Sequence, residues 1–153
     1  MKKLIIFFLV ACATLTQAQD FRGLDKSPMD RVFYPASNRV SDKAIVITYS
    51  RPQLNGRDLG TLVPTYKLWR TGANEATEIR LFKSIKLGDT VVKAGTYTMY
   101  SYPKEGTTEI IINAATHVWG TNGYDESKDL ARIEVPVMES QAVSYTHLTL
   151  PTN

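Results

Sequence analysis

The stretch Lys93-Ala94-Gly95-Thr96-Tyr97-Thr98-Met99-Tyr100-Ser101-Tyr102-Pro103 decides the fold class. It opens on a turn signal, Lys93-Ala94-Gly95, and closes on Pro103. Between them Tyr97, Met99 and Ser101 alternate with Thr98, Tyr100 and Tyr102. A period of two sends successive side chains to opposite faces of a strand. Tyrosines and threonines suit such a pleated surface.

The same pattern recurs outward. Downstream, Pro103 to Thr107 reads as a turn and Glu109 to Asn113 as a strand. Leu130 to Val137 follows, with Ala131, Ile133, Val135 and Val137 facing in and Arg132 and Glu134 facing out. Upstream, Ile85 to Val92 carries Gly88-Asp89 between two apolar runs, a hairpin signal. Thr77 to Ile85 sets Ile79 and Leu81 against Glu78 and Arg80. Ala44 to Tyr49 sets Ile45, Ile47 and Tyr49 against Val46 and Thr48. Two short helical pieces are expected. One is a turn capped by Ser27 with Pro28 at its first position, placing Met29, Val32 and Phe33 on one side. The other spans Leu62 to Trp69, broken near Pro64. The expected fold is mostly β: a single antiparallel β-sandwich or jelly-roll-like domain over 36–142 with one or two short helices, after a lead-in at 19–35.

The chain begins with the features of an export signal. Lys2 and Lys3 precede the apolar run Leu4 to Val10, and Thr16-Gln17-Ala18 offers small residues for cleavage between Ala18 and Gln19. That run is shorter than the ~20 residues a membrane helix needs. Leu9-Val10-Ala11-Cys12 also resembles a lipobox, in which Cys12 becomes the lipidated first residue of a tethered protein. The expected location is the periplasm or the outer membrane. Cys12 is the one cysteine of the chain, so the domain itself offers no disulfide or thiolate site. The final residues, Val143 to Asn153, carry no charge and are similar to the translation of sequencing-adaptor DNA. The other reading is a last strand with Tyr145, His147 and Thr149 alternating.

The remainder, roughly 120 residues, suffices for one domain with a real core. The 18 basic and 15 acidic residues give a net charge of +3, but Lys2 and Lys3 belong to the leader. The domain is therefore close to neutral, and no basic patch argues for nucleic acid. No cofactor is expected. His117 is the only histidine before the tail, with no Gly-x-Ser-x-Gly elbow and no phosphate-binding glycine loop. A lone histidine is poor material for a zinc site. Asp125, Glu126 and Asp129 lack EF-hand spacing and read as a solvated acidic turn.

Two polar loops hold the candidate residues. The first runs through Tyr49-Ser50-Arg51-Pro52, Gly56-Arg57 and Trp69-Arg70-Thr71-Gly72-Ala73-Asn74-Glu75-Ala76-Thr77; the second is His117 to Asp129. Arg51, Arg57 and Arg70 suit an anionic ligand, because guanidinium forks match carboxylates and phosphates. Alternatively Arg70 pairs with Glu75 or Asp125 and pins the loops together. Trp69 and Trp119 suit stacking on a sugar or peptide, or plugging the end of the sandwich. Asn74 shapes the turn before a strand. Tyr124-Asp125 either closes over the arginines or forms a surface turn.

Tyr49-Ser50-Arg51-Pro52 with Gly56-Arg57, the Trp69–Thr77 string, Ala94-Gly95-Thr96-Tyr97, and Trp119-Gly120 followed by Tyr124-Asp125 and Lys128-Asp129 together resemble the domain of unknown function 2911 family. The resemblance covers roughly Ser27 to Met138. It implies an exported, mostly β domain found mainly in Bacteroidetes, with some members longer than this chain. It implies no activity, substrate or catalytic residue.

Three functions stay open. A non-enzymatic module would bind a small anionic, glycan or peptide ligand, or an envelope protein, through Arg51, Arg57, Trp69, Arg70, Asn74, Glu75, Trp119, Tyr124 and Asp125. An envelope hydrolase acting on glycan or peptide would use Glu75 or Asp125 as acid or base. A purely structural partner domain would use the same charges to lock its loops.

Overall fold

A computed structural model describes residues 23–138. The expected signal segment and its alternatives, with Cys12, Ala18 and Gln19, and the tail 143–153 lie outside the described residues. Eight strands run in chain order: β1 Met29–Tyr34, β2 Ile45–Ser50, β3 Ala73–Leu81, β4 Ile85–Leu87, β5 Thr90–Val92, β6 Gly95–Pro103, β7 Thr107–Asn113 and β8 Asp129–Pro136. The helical content is a short α1, Leu59–Leu62, and a 3-10 turn, Glu126–Lys128. The fold is thus mostly β and antiparallel, as the alternation predicts.

Six strands form one sheet in the order β1-β2-β3-β6-β7-β8, and β4 pairs with β5 as a separate hairpin. Every pair is antiparallel. The strand order follows the chain, with the hairpin inserted between β3 and β6. Strands that follow one another in sequence tend to pair, and here they do so across connections as short as Lys104–Gly106 and as long as Arg51–Gly72.

The core lies on one face. Ile47 and Tyr49 from β2, Ile79 and Leu81 from β3, Met99, Ile112 and Ala131 are buried there, and Val92 of the hairpin is 2% exposed among them. Ile85 and Leu87 pack against the same cluster, and the hairpin rests near β8. The sandwich is therefore unequal, a six-stranded layer covered by a two-stranded one.

Two local expectations are corrected. Ser27 to Phe33 is not a helical turn: β1 pairs with β2 from Met29–Ser50 to Tyr34–Ile45. The Pro28 signal is overridden by tertiary pairing, with the Arg51 N–H donating to the Pro28 oxygen at 3.0 Å. The helix expected at Leu62 to Trp69 lies earlier and ends at Leu62. Pro64 disfavours helical backbone at Val63, and Tyr66 takes a positive φ of 59°.

The Trp69–Thr77 string forms a corner. β6 pairs with β3 from Leu81 back to Thr77 and there loses it. Trp69 takes the vacated edge, exchanging backbone hydrogen bonds with Ser101 at 2.8 and 2.9 Å. Thr71 then turns with φ +60°, a strained value for a β-branched residue. Three bonds hold it: its hydroxyl meets Ser101 Oγ at 2.8 Å, Thr77 Oγ1 donates to its carbonyl at 3.0 Å, and the Thr77 N–H donates to the Arg70 oxygen at 3.0 Å. Gly72 is needed because a β-carbon there would sit 3.1 Å from both the Ser50 oxygen and Thr77 Oγ1.

Candidate functional site: a split polar row and a tryptophan-edged cleft

The face opposite the core carries one polar row across all six strands. The register aligns Arg31, Thr48, Glu78, Thr98, Asn113 and Asp129. Each alternates with core residues, so the row follows from strand periodicity once the register is set.

Half of this row holds the segment between β7 and β8. Thr98 Oγ1 donates to the Ala115 oxygen at 2.6 Å. Asn113, fully buried, donates to the Asp125 oxygen at 2.9 Å and to Asp129 Oδ1 at 2.7 Å, and accepts from the Ala115 N–H. Arg132 binds Asp129, Glu109, Glu126 and the Tyr124 hydroxyl at 2.7–3.1 Å. The Tyr124 ring meets Tyr100 edge to face at 5.1 Å. The acidic turn read from the sequence is thus engaged by Arg132 at Glu126 and Asp129 and by Lys128 at Asp125, and Tyr124 closes over Arg132 rather than over Arg51, Arg57 or Arg70. Burial and the bond to Asp129 push the Tyr124 phenol well above its ordinary pKa. Burial, with the charge of Asp129, does the same to Tyr100. Asp125 caps the 3-10 turn, accepting from the Ser127 hydroxyl and N–H, and these bonds with Lys128 hold its carboxyl below the usual range.

The stretch of the row around Thr48 and Glu78 stays open. Thr48, Glu78 and Thr98 line a cleft of about 200 Å³, beside His117 and Val118. His117 Nδ1 lies 4.0 Å from Glu78 Oε2, and the His117 backbone takes φ +56°. A second cleft, about 410 Å³, is lined by Asp25, Asn74 and Trp119. Met29, Ser50 and Glu75 line both. Trp119 is 56% exposed. Its backbone is held firmly: Glu75 and Trp119 form a bridge, the Ala76 N–H donates to the Val118 oxygen at 2.9 Å, and the Gly120 N–H donates to the Asn74 oxygen at 3.1 Å.

The expected site residues thus divide. Asn74, Glu75 and Trp119 share the second cleft. Arg70 lies near them, donating to the Gly72 oxygen at 3.0 Å, with Nη1 3.6 Å from where a Gly120 β-carbon would stand. No ion pair joins it to Glu75 or Asp125 among the described residues. Trp69 is half-buried at the corner. Arg57 folds back on its own loop, donating to the Leu54 and Gln53 oxygens. Arg51 lies 3.7 Å from Asp30. Tyr124 and Asp125 belong to the Arg132 network. The three arginines are not among the residues lining either cleft. Sequence reading missed Glu78, Thr48, Ser50 and Met29 as cleft residues; only the cross-strand register brings them together.

Family comparison matches this frame. The chain belongs to the family described as Protein of unknown function (DUF2911), whose model matches residues 27–151. The DUF2911 match includes β1 and extends into the tail. No curated protein and no solved structure matches the chain. Among the described residues no group of three or more histidines, cysteines or carboxylates could hold a metal ion, and no helix is long and apolar enough to cross a membrane.

Proposed function

We propose that this DUF2911 chain is an exported, non-enzymatic envelope domain that binds a ligand or a partner protein through the surface around Trp119. One observation carries the reading. A large aromatic side chain stands 56% exposed on a backbone pinned to β3, where two clefts share Met29, Ser50 and Glu75. A ring presented this way gives apolar contact area at low entropic cost, as in binding surfaces. The strained backbone at Asn74 (φ +58°) and His117 (φ +56°) borders the same clefts, and such strain clusters where a surface is shaped for use.

The anionic-ligand version of this reading loses support, because Arg51 and Arg57 are engaged elsewhere. Sugars and peptides remain. The hydrolase alternative loses Asp125, which caps a turn and is held ionised, and keeps Glu75. The test is a panel of envelope glycans and peptides against the wild type and Trp119→Ala. Binding that Trp119→Ala abolishes supports the reading. Turnover of any panel member, or binding indifferent to Trp119, rejects it.

A further inference from the structure

We infer that the paired clefts receive the cationic side chain of a lysine or arginine from a partner protein; this rests on the Trp119 binding surface and names its ligand chemistry.

Charge comes first. Glu75 and Glu78 line the first cleft, and no lysine or arginine lines either cleft. Neither glutamate has a lysine or arginine ion pair among the described residues, and the one basic group facing Glu78 is His117 at 4.0 Å. Most other carboxylates have a basic partner, among them Asp30 with Arg51, Asp42 with Lys83, Glu134 with Lys104, and Glu109, Glu126 and Asp129 with Arg132. The first cleft thus brings together two carboxylates that no lysine or arginine pairs with among the described residues.

A second observation is independent of charge. Ser50 is 4% exposed and lines both clefts. Its hydroxyl makes no side-chain hydrogen bond among the described residues. The hydroxyl oxygen is free to accept, and an ammonium or guanidinium N–H would donate to it. The rest of the surface suits the stem of such a side chain. Met29 is 62% exposed beside Ser50, and apolar walls accept the methylenes of lysine or arginine. The Trp119 ring face attracts a cation within about 6 Å of its centroid. An acetylated or acidic side chain would leave Glu75 and Glu78 unmatched.

The experiment titrates the protein with acetyl-Gly-Lys-Gly-amide, its arginine counterpart, and versions carrying acetyl-lysine or glutamate. The readout is the indole N–H resonance of Trp119, assigned with Trp119→Phe. The lysine and arginine peptides are expected to shift it saturably, with acetyl-lysine at least about tenfold weaker. Glu75→Gln/Glu78→Gln should weaken lysine binding by a similar factor and leave the melting temperature unchanged, since neither group has a lysine or arginine partner among the described residues. Added salt should weaken it too. Equal binding of acetyl-lysine, or no shift by either basic peptide, overturns the inference. Should the wider panel then yield a neutral ligand that needs Trp119, the binding-surface reading stands and only the cation assignment falls.

Discussion

The Thr77 hydroxyl donates to the Thr71 carbonyl at 3.0 Å, inside a corner where both residues are buried and Thr71 holds φ +60°. This bond fastens the point where β3 leaves β6 and turns toward the Trp119 segment. Thr77→Val keeps the shape and removes the donor, and should cost about 1–2 kcal/mol in chemical denaturation. Gly72→Ala should cost about 1–3 kcal/mol, because the Ser50 backbone oxygen 3.1 Å from the new methyl cannot swing aside. Wild-type stability in both variants would remove the corner from the account.

Arg132 holds the β7–β8 segment down. The Asp129 side chain is only 8% exposed, and Arg132 Nη2 lies 2.7 Å from its Oδ2. Arg132→Met leaves a nearly buried carboxylate without its main partner, at a cost of about 3 kcal/mol. Adding Asp129→Asn should return part of that loss, since the two residues act as one unit. A double mutant as unstable as the sum of the singles would refute the coupling.

Exposure and engagement separate Trp119 from Arg57. Trp119→Ala should change stability by no more than about 0.5 kcal/mol and abolish ligand binding. Arg57→Ala should leave binding intact, since its guanidinium serves its own loop. Calorimetry on the three proteins reads both effects, and an Arg57 dependence would return the arginines to the site.

Alkaline pH should unfold this domain through its tyrosines. Tyr100 and Tyr124 are both held above the ordinary phenol value, which is about 10. The folded form keeps their protons longer than the unfolded chain does. The stability from this is fully present below pH ~10 and is lost as pH rises toward the folded-state values. Absorbance near 295 nm should show these two phenols ionising only with unfolding, and Tyr124→Phe should raise the pH of the transition. At the acid end the lowered Asp125 and Glu134 act oppositely, contributing above the usual carboxylate range and fading as pH falls through it.

Export is tested in the cell. Fractionation with Cys12→Ser distinguishes the two leader readings: release from the membrane marks Cys12 as an anchor, and unchanged periplasmic recovery marks cleavage between Ala18 and Gln19.

Much of the fold was legible because local periodicity and global packing agree in its central strands. Ile79 lies between Glu78 and Arg80 and Met99 between Thr98 and Tyr100, and the same period of two places both in the core. Gly88-Asp89 marked the hairpin. Local signals misled where pairing outweighed them: Pro28 announced a helical turn, yet β1 joined the sheet edge beside β2.

The sequence by itself determined a near-neutral β domain of alternating strands and a family-specific string around Trp69. The tertiary structure decided which polar residues meet. Glu78 reaches Thr48 and Thr98 through strand register, Glu75 reaches Trp119 through a backbone bridge 44 residues apart in number, and Arg132 gathers three carboxylates. Periodicity tells a side chain which face it takes, but the partner across the sheet depends on register and on loops of many residues. That information is non-local, so it exists only once the chain has folded.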